Sequence, residues 1–390
     1  MTASNVKSDS VRIERIETSV YRVPTDYPES DGTLEWDRTT LVLVRALAAT
    51  DSGLGYTYAD SATAAVVDGV LAKTVVGRDA MAIAECRMAM LNSIRNLGRP
   101  GIVSTAIAAV DSALWDLKAR LLRVPLVKLL GAARESVPIY GSGGFTSYPV
   151  KQLQEQLAGW VERGIPRVKM KIGRDAEADM KRVRAAREAI GPDAELFVDA
   201  NGAYSRKQAL KQAEAFAEMD VKWFEEPVSS DDLSGLHLIR NRAPAGMEIA
   251  AGEYGYDPGY FHRMLEAEAV DVLQADATRC GGVSGFMQAG NLCEAYQLPL
   301  SAHTAPALHT HLCCATVPLR HLEYFHDHVR IEQMLFDGIP EPIQGELRPD
   351  LSRSGMGIEL KPEDAARFAS SSAGESGGIE GNMAERLRNN

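Results

Sequence analysis

An α/β chain built around a (β/α)8 barrel, with an α+β unit in front of it, is predicted by three observations. The first is length: 390 residues are enough for a large barrel with something attached. The second is a change of rhythm near residue 135, after which short apolar, β-branched runs alternate with amphipathic helical segments. The third is the number of those runs, which is eight: VPIYGSGGF, PRVKMKIG, AELFVDAN, VKWFEEP, EIAAGE, VDVLQADA, PLSAHT and LEYF. Strands alternating with helices make βαβ units and a parallel sheet, and eight favour closure over an open sheet.

The first third reads differently. VRIERIETSVYRV and TTLVLVRAL are strand-like and are separated by the turn-rich TDYPESDGTLEWD, which predicts a β-hairpin with a long loop. From about 62 to 131 the apolar spacing turns helical and ends at Gly131. This divides the chain into an α+β unit over 1–134, a barrel over 135–340, an irregular segment over 341–369 and a Ser/Gly-rich tail over 370–390 expected to be disordered.

Composition narrows the function. With 42 basic and 53 acidic residues the formal charge is −11, which argues against nucleic acid or an anionic membrane as partner. No run approaches the ~18 apolar residues of a membrane span, and the N-terminal MTASNVKSDS lacks an apolar signal core, so a cytoplasmic protein is expected. Five cysteines with no CxxC spacing read as buried thiols.

In a barrel the residues at the C-terminal ends of strands face one mouth. Here those residues are Lys169 and Lys171, Asp199 and Asn201, Glu225 and Glu226, Glu253, Asp276, His303 and Glu323. From Lys171 onward the ring Lys171, Asp199, Glu225, Glu253, Asp276, His303, Glu323 advances by 20 to 28 residues a step, about one βα unit each. Asp199, Glu225 and Glu253 end successive strands, and three anions in one low-dielectric mouth call for a cation. All-oxygen ligation suits Mg²⁺, with Mn²⁺ possible and zinc disfavoured. The strand period places Lys169 and Lys171 on one face, where mutual repulsion is expected to lower a lysine pKa toward general-base service. Asp276 and His303 end adjacent strands and form a His–Asp dyad, and Glu323, if protonated, is placed to donate a hydrogen bond to a substrate oxygen. The HTH of His309 and His311 and the HDH of His326 and His328 have metal-ligand spacing but lie outside the strand ends.

Taken together, VKMKIG, FVDANGAY, WFEEP, AAGE, QADATRCGGVSGF, PLSAHT and HLEYF resemble the mandelate racemase subgroup of the enolase superfamily. The resemblance covers nearly the whole chain. AAVDSALWDLKARLLRVPLVKLLG is similar to that family's cap-to-barrel segment and GELRPDLSRSGMGIEL to its C-terminal return to the cap. It implies an N-terminal capping domain completed by the C-terminal segment, and Mg²⁺ on Asp199, Glu225 and Glu253. It also implies Lys171 as one acid/base catalyst, His303 with Asp276 as the other, Glu323 stabilising the intermediate, and Lys169 and Glu226 as their neighbours. Implied too are a small carboxylate substrate, most simply a sugar acid, and a homo-oligomer. The reaction expected is removal of the proton alpha to a carboxylate, with dehydration of an acid sugar to a 2-keto-3-deoxy acid ahead of racemisation or epimerisation. A Schiff-base lyase using Lys171 leaves the three carboxylates without purpose. A metal-dependent amidohydrolase needs an HxH where this chain has GSGGF, and a non-catalytic binding protein has no need of a complete ring. The loop Thr25–Trp36 and the GLGYTYAD loop are expected to close over the substrate, with Asp31, Trp36 and Tyr56 in contact with it.

Overall fold

The computed structural model describes residues 10–370, so the expected disordered tail lies outside the described residues from 371 on. Its first residue, Ser370, is ordered in a short strand paired with Val20. The N-terminal unit is an antiparallel sheet of β1 (Arg15–Ser30), β2 (Glu35–Ala48) and β3 (Asp51–Tyr58), with Ala369–Ser370 on the outer edge of β1.

Two elements differ from expectation. The turn-rich stretch is strand almost throughout: β1 and β2 stay paired up to Ser30 and Glu35, with a register shift between Pro24 and Glu29. Asp31 closes the tight turn by accepting from the backbone N–H groups of Thr33 at 2.6 Å and Leu34 at 2.8 Å. The GLGYTYAD segment is likewise strand through Tyr58, the end of β3, and only its last two residues lie outside it. Its glycines are required by packing, because a Cβ on Gly53 would stand 2.2 Å from the Ala113 carbonyl and one on Gly55 2.2 Å from that of Ala109. Both carbonyls belong to the helix Ile102–Leu121, which lies directly across β3.

Buried Asp116 ties three parts of the chain together. Its Oδ2 accepts from Leu54 N–H and from Arg120, and its Oδ1 accepts from Met356 N–H at 2.6 Å. The C-terminal segment is thereby fastened to the capping unit.

The barrel strands are β4 (Val137–Gly143), β5 (Arg167–Lys171), β6 (Glu195–Asp199), β7 (Val221–Glu225), β8 (Glu248–Ala251), β9 (Val272–Ala275), β10 (Leu300–Ala302) and β11 (Leu319–Phe325). All are parallel neighbours in chain order, and β11 closes on β4 through Leu322↔Ile139 to Phe325↔Ser142. Helices between them start on side-chain caps at Asp175, Ser205, Asp232 and Asp257. The barrel interior is floored by Tyr140, Phe197 and Trp223, with His321 against them. Period-two alternation then lifts the next inward residues above this floor, Ser142, Asp199, Glu225 and Glu323, while Lys169 and Lys171 point inward at successive levels of β5, in register with Phe197 and Asp199. Among the described residues the cysteines are free and buried, and no helix is long and apolar enough to cross a membrane.

Candidate active site

The ring predicted from the strand ends converges in the structure. Asp199, Glu225 and Glu253 are fully or nearly buried, and one carboxylate oxygen from each lies within 4.8 Å of the others. Lys169 Nζ, wholly buried, sits 2.6 Å from Glu225, 2.9 Å from Glu323 and 3.3 Å from Asp199, above the Tyr140 ring. Lys171 Nζ donates to Asp199 Oδ2 at 2.5 Å. Across the mouth, His303 Nδ1 is 2.9 Å from Asp276 Oδ2, and its Nε2 is 3.0 Å from Glu253 and 3.7 Å from Glu323.

Neighbouring groups fix these positions. Trp223 Nε1 donates to Glu225 Oε2, Asn201 N–H to Asp199 Oδ1, and Thr278 N–H to Asp276 Oδ1. His309, at the start of the HTH, accepts from Ala277 N–H on Nε2 while its Nδ1 faces the Thr304 carbonyl, so it clamps the loops after β9 and β10 together. The backbone is strained where it presents the ring: Asn201, Glu226, Thr304 and Ala305 have φ of 45°, 39°, 52° and 40°. Gly252, just before Glu253, has φ +134°, and a Cβ there would stand 2.2 Å from the Gln274 carbonyl. Gly252→Ala is therefore expected to cost about 3 kcal/mol and to weaken Mg²⁺ binding through Glu253, which thermal unfolding with and without Mg²⁺ measures.

The charges correct two expectations. Burial and Lys169 do pull the Lys171 pKa down, but Asp199 outweighs them and the lysine is raised, not lowered. Burial favours a protonated Glu323, yet Lys169 and His303 hold it below the ordinary carboxylate value. It is an acceptor, taking hydrogen bonds from Ser142 Oγ and Thr304 N–H, and not a donor. Burial would lower His303, but Glu253, Glu323 and the bond to Asp276 raise it to about 10. Burial and Asp199 push Glu225 up to about 8, and burial with Glu253 raises Glu226, whose Oε1 is buried with no partner. Carboxylates in excess of the lysines, all with oxygen donors, are the donor set of a hard divalent cation, and Mg²⁺ fits it.

Above the ring lies a cavity of about 620 Å³, lined by Lys171, Asn201, Glu253 and His303 from the barrel and by Asp31, Trp36, Tyr58 and Asp60 from the capping unit. Asp31 and Trp36 border it, although the Asp31 carboxylate is engaged in its own turn. Tyr56 does not border it. Fully buried, it donates to Glu332 Oε1 at 2.6 Å and joins β3 to the helix His326–Leu335. Tyr56→Phe is thus expected to cost about 1–3 kcal/mol in unfolding free energy with KM unchanged, whereas a substrate contact would raise KM. The residue at the cavity is Tyr58, two positions on along β3 and stacked on His328 with centroids 3.4 Å apart. Arg279 was also missed: it lies in the loop after β9, pairs with Glu253 at 3.3 Å and Asp276 at 3.6 Å, and covers the Tyr254 ring.

This architecture has known counterparts. Residues 16–131 match the mandelate racemase / muconate lactonizing enzyme N-terminal domain, and residues 152–365 match the enolase C-terminal domain-like family. The chain belongs to the mandelate racemase / muconate lactonizing enzyme family of the enolase superfamily. Within the family, a 3,6-anhydro-alpha-L-galactonate cycloisomerase of Streptomyces coelicolor is 35% identical over 318 residues, covering 79% of this chain and 86% of that one. The crystal structure of a mandelate racemase/muconate lactonizing enzyme-like protein from Rubrobacter xylanophilus is 55% identical, with TM-score 0.90 over 92% of this chain and 100% of that one. A mutant L-talarate/galactarate dehydratase liganded with Mg and L-glucarate superposes with TM-score 0.88 at 28% identity, over 95% and 96% of the two chains. With such relatives and such a site, the protein is an enzyme.

Proposed function

We propose that the enzyme removes the proton alpha to the carboxylate of an acid sugar and eliminates the oxygen on the beta carbon, in the first instance a hydroxyl leaving as water. The observation that carries this is the placing of two proton-exchanging groups, Lys171 on β5 and the His303–Asp276 pair beyond β10, on either side of one buried carboxylate triad. Asp199, Glu225 and Glu253 would hold Mg²⁺, which would supply a Lewis acid for the substrate carboxylate.

The chain's own residues do the rest. One of Lys171 and His303 takes the alpha proton, and the electron pair left on carbon forms the enediolate. Lys169, buried among the acids, stabilises the negative charge that develops. The other group protonates the beta oxygen as its C–O bond breaks, and the enol released becomes the 2-keto-3-deoxy acid. Asp276 holds the imidazole tautomer, and Trp36 with Tyr58 excludes water. Asp31, Asp60, Arg38, Thr39 and Thr40 at the rim give the cavity the polar groups that a polyhydroxylated acid needs.

A second reading is favoured by the cycloisomerase relative. In a 3,6-anhydro sugar acid the oxygen on the carbon beta to the carboxylate is the ring ether, so the same two steps open the ring and lose no water. One experiment separates the outcomes. The protein is incubated with Mg²⁺ in D₂O against mono- and diacid sugars and their anhydro forms and lactones, with semicarbazide detection of keto acid and mass analysis. Keto acid with loss of one water is expected. Keto acid formed without loss of water indicates ring opening, and alpha deuterium without keto acid indicates racemisation or epimerisation. Neither keto acid nor exchange with any acid sinks the proposal.

A further inference from the structure

Apart from the catalytic triad, the described residues bring together one other set of metal-type side chains: Asp26 and Glu29 on β1 and His326 at the start of the helix that follows β11. One donor atom from each lies within 4.8 Å of the others, and His326 Nε2 already stands 2.9 Å from Asp26 Oδ2. His326 is the first residue of the HDH motif, which the catalytic ring leaves unused.

The second observation is Glu29. Its side chain is only 1% exposed; Oε2 accepts from Trp36 Nε1 at 2.8 Å, and buried Oε1 has no partner. A buried carboxylate oxygen without a donor is costly. Burial opposes ionisation of Glu29, and the charges of Asp327 and Asp26 add to it. Asp327 holds the nearby cation, Arg330, at 2.7 Å, and Arg330 also donates to the Pro24 carbonyl. A divalent cation relieves the charge and gives the oxygen a partner.

We infer that Asp26, Glu29 and His326 form a second divalent-metal site, which takes a transition ion of the Zn²⁺ or Mn²⁺ class and staples the β1–β2 hairpin to the barrel. Two carboxylates and an imidazole select such an ion over Mg²⁺, which prefers oxygen ligands throughout. Two ligands come from the hairpin and one from the barrel, so occupancy fixes the hairpin over the mouth. Glu29 in turn holds Trp36, whose ring borders the catalytic cavity. The inference stands apart from the reaction proposed above.

Equilibrium dialysis of untagged protein against Zn²⁺ in millimolar Mg²⁺, which loads the all-oxygen triad, tests it. One Zn²⁺ per chain is expected, with affinity reduced at least about tenfold by His326→Ala or Glu29→Gln and retained by Asp199→Asn. Asp26→Asn, at an exposed position, gives the same loss if Glu29→Gln fails to fold. Zn²⁺ is also expected to shift the tryptophan emission, and Trp36→Phe to abolish that shift. Zn²⁺ binding that is absent, or equal in the wild type and in His326→Ala, overturns the inference.

Discussion

Lys171→Ala and His303→Asn are each expected to lower kcat on acid sugars on the order of 10³-fold, and the double variant to lose little more, because in the proposed reaction the two groups act in one sequence of proton transfers. The structure says how to tell their roles apart. Lys171 reaches the triad at Asp199 and His303 reaches it at Glu253, so a substrate held at the triad presents opposite faces to them. If Lys171 is the base, His303→Asn still exchanges the alpha proton with D₂O while elimination stops, and Lys171→Ala exchanges nothing. If His303 is the base the pattern reverses. Asp276→Asn should fall between, since it keeps the imidazole in place but alters the acceptor on Nδ1. Either single variant retaining activity within about tenfold of wild type would remove that residue from the mechanism. Thermal unfolding guards against a trivial loss. Among the described residues Lys171 forms one ion pair, with Asp199, and that group keeps Lys169 at 3.3 Å when Lys171 is gone.

The barrel was legible because its strands are largely apolar runs, and all but the first end in a charged or titratable residue that an all-buried strand otherwise lacks. Asp199, Glu225, Glu253, Asp276, His303 and Glu323 could be read off in order for that reason. Strand β3 was not legible, because Gly53 and Gly55 read as turn residues when they are in fact the price of a helix lying in contact with the sheet. Missing β3 also put the expected contact at buried Tyr56, whereas Tyr58 is the tyrosine of β3 that borders the cavity. Spacing shows that Lys169 and Lys171 share a face but cannot count what opposes them, and three carboxylates within 3.3 Å of Lys169 reverse the sign of the expected pKa shift. Arg279 was hidden for a different reason: it belongs to a loop, where no period says which way a side chain points.

The two lysines, alike in the motif, should behave differently when removed. Lys169→Met takes the cation from a wholly buried cluster and leaves Glu225 and Glu323 without their common partner. Breaking a buried pair on one side costs about 3–5 kcal/mol, because the remaining charge is desolvated and uncompensated. Lys171→Met, at the cavity floor and 5% exposed, is expected to cost about 1 kcal/mol, since Asp199 keeps Asn201 N–H and Lys169. Two further measurements check that charge, and not lost packing, is the cause. Mg²⁺ should raise the Tm of Lys169→Met more than that of the wild type, because ligand binding to the native state stabilises it and the variant has more uncompensated charge at the triad. Adding Glu323→Gln to Lys169→Met should recover part of the loss, whereas a packing defect would make the second substitution additive or worse. If Lys169→Met unfolds no more easily than Lys171→Met, the buried lysine is not what holds the acids together, and the case for reading these carboxylates as a site short of positive charge falls with it.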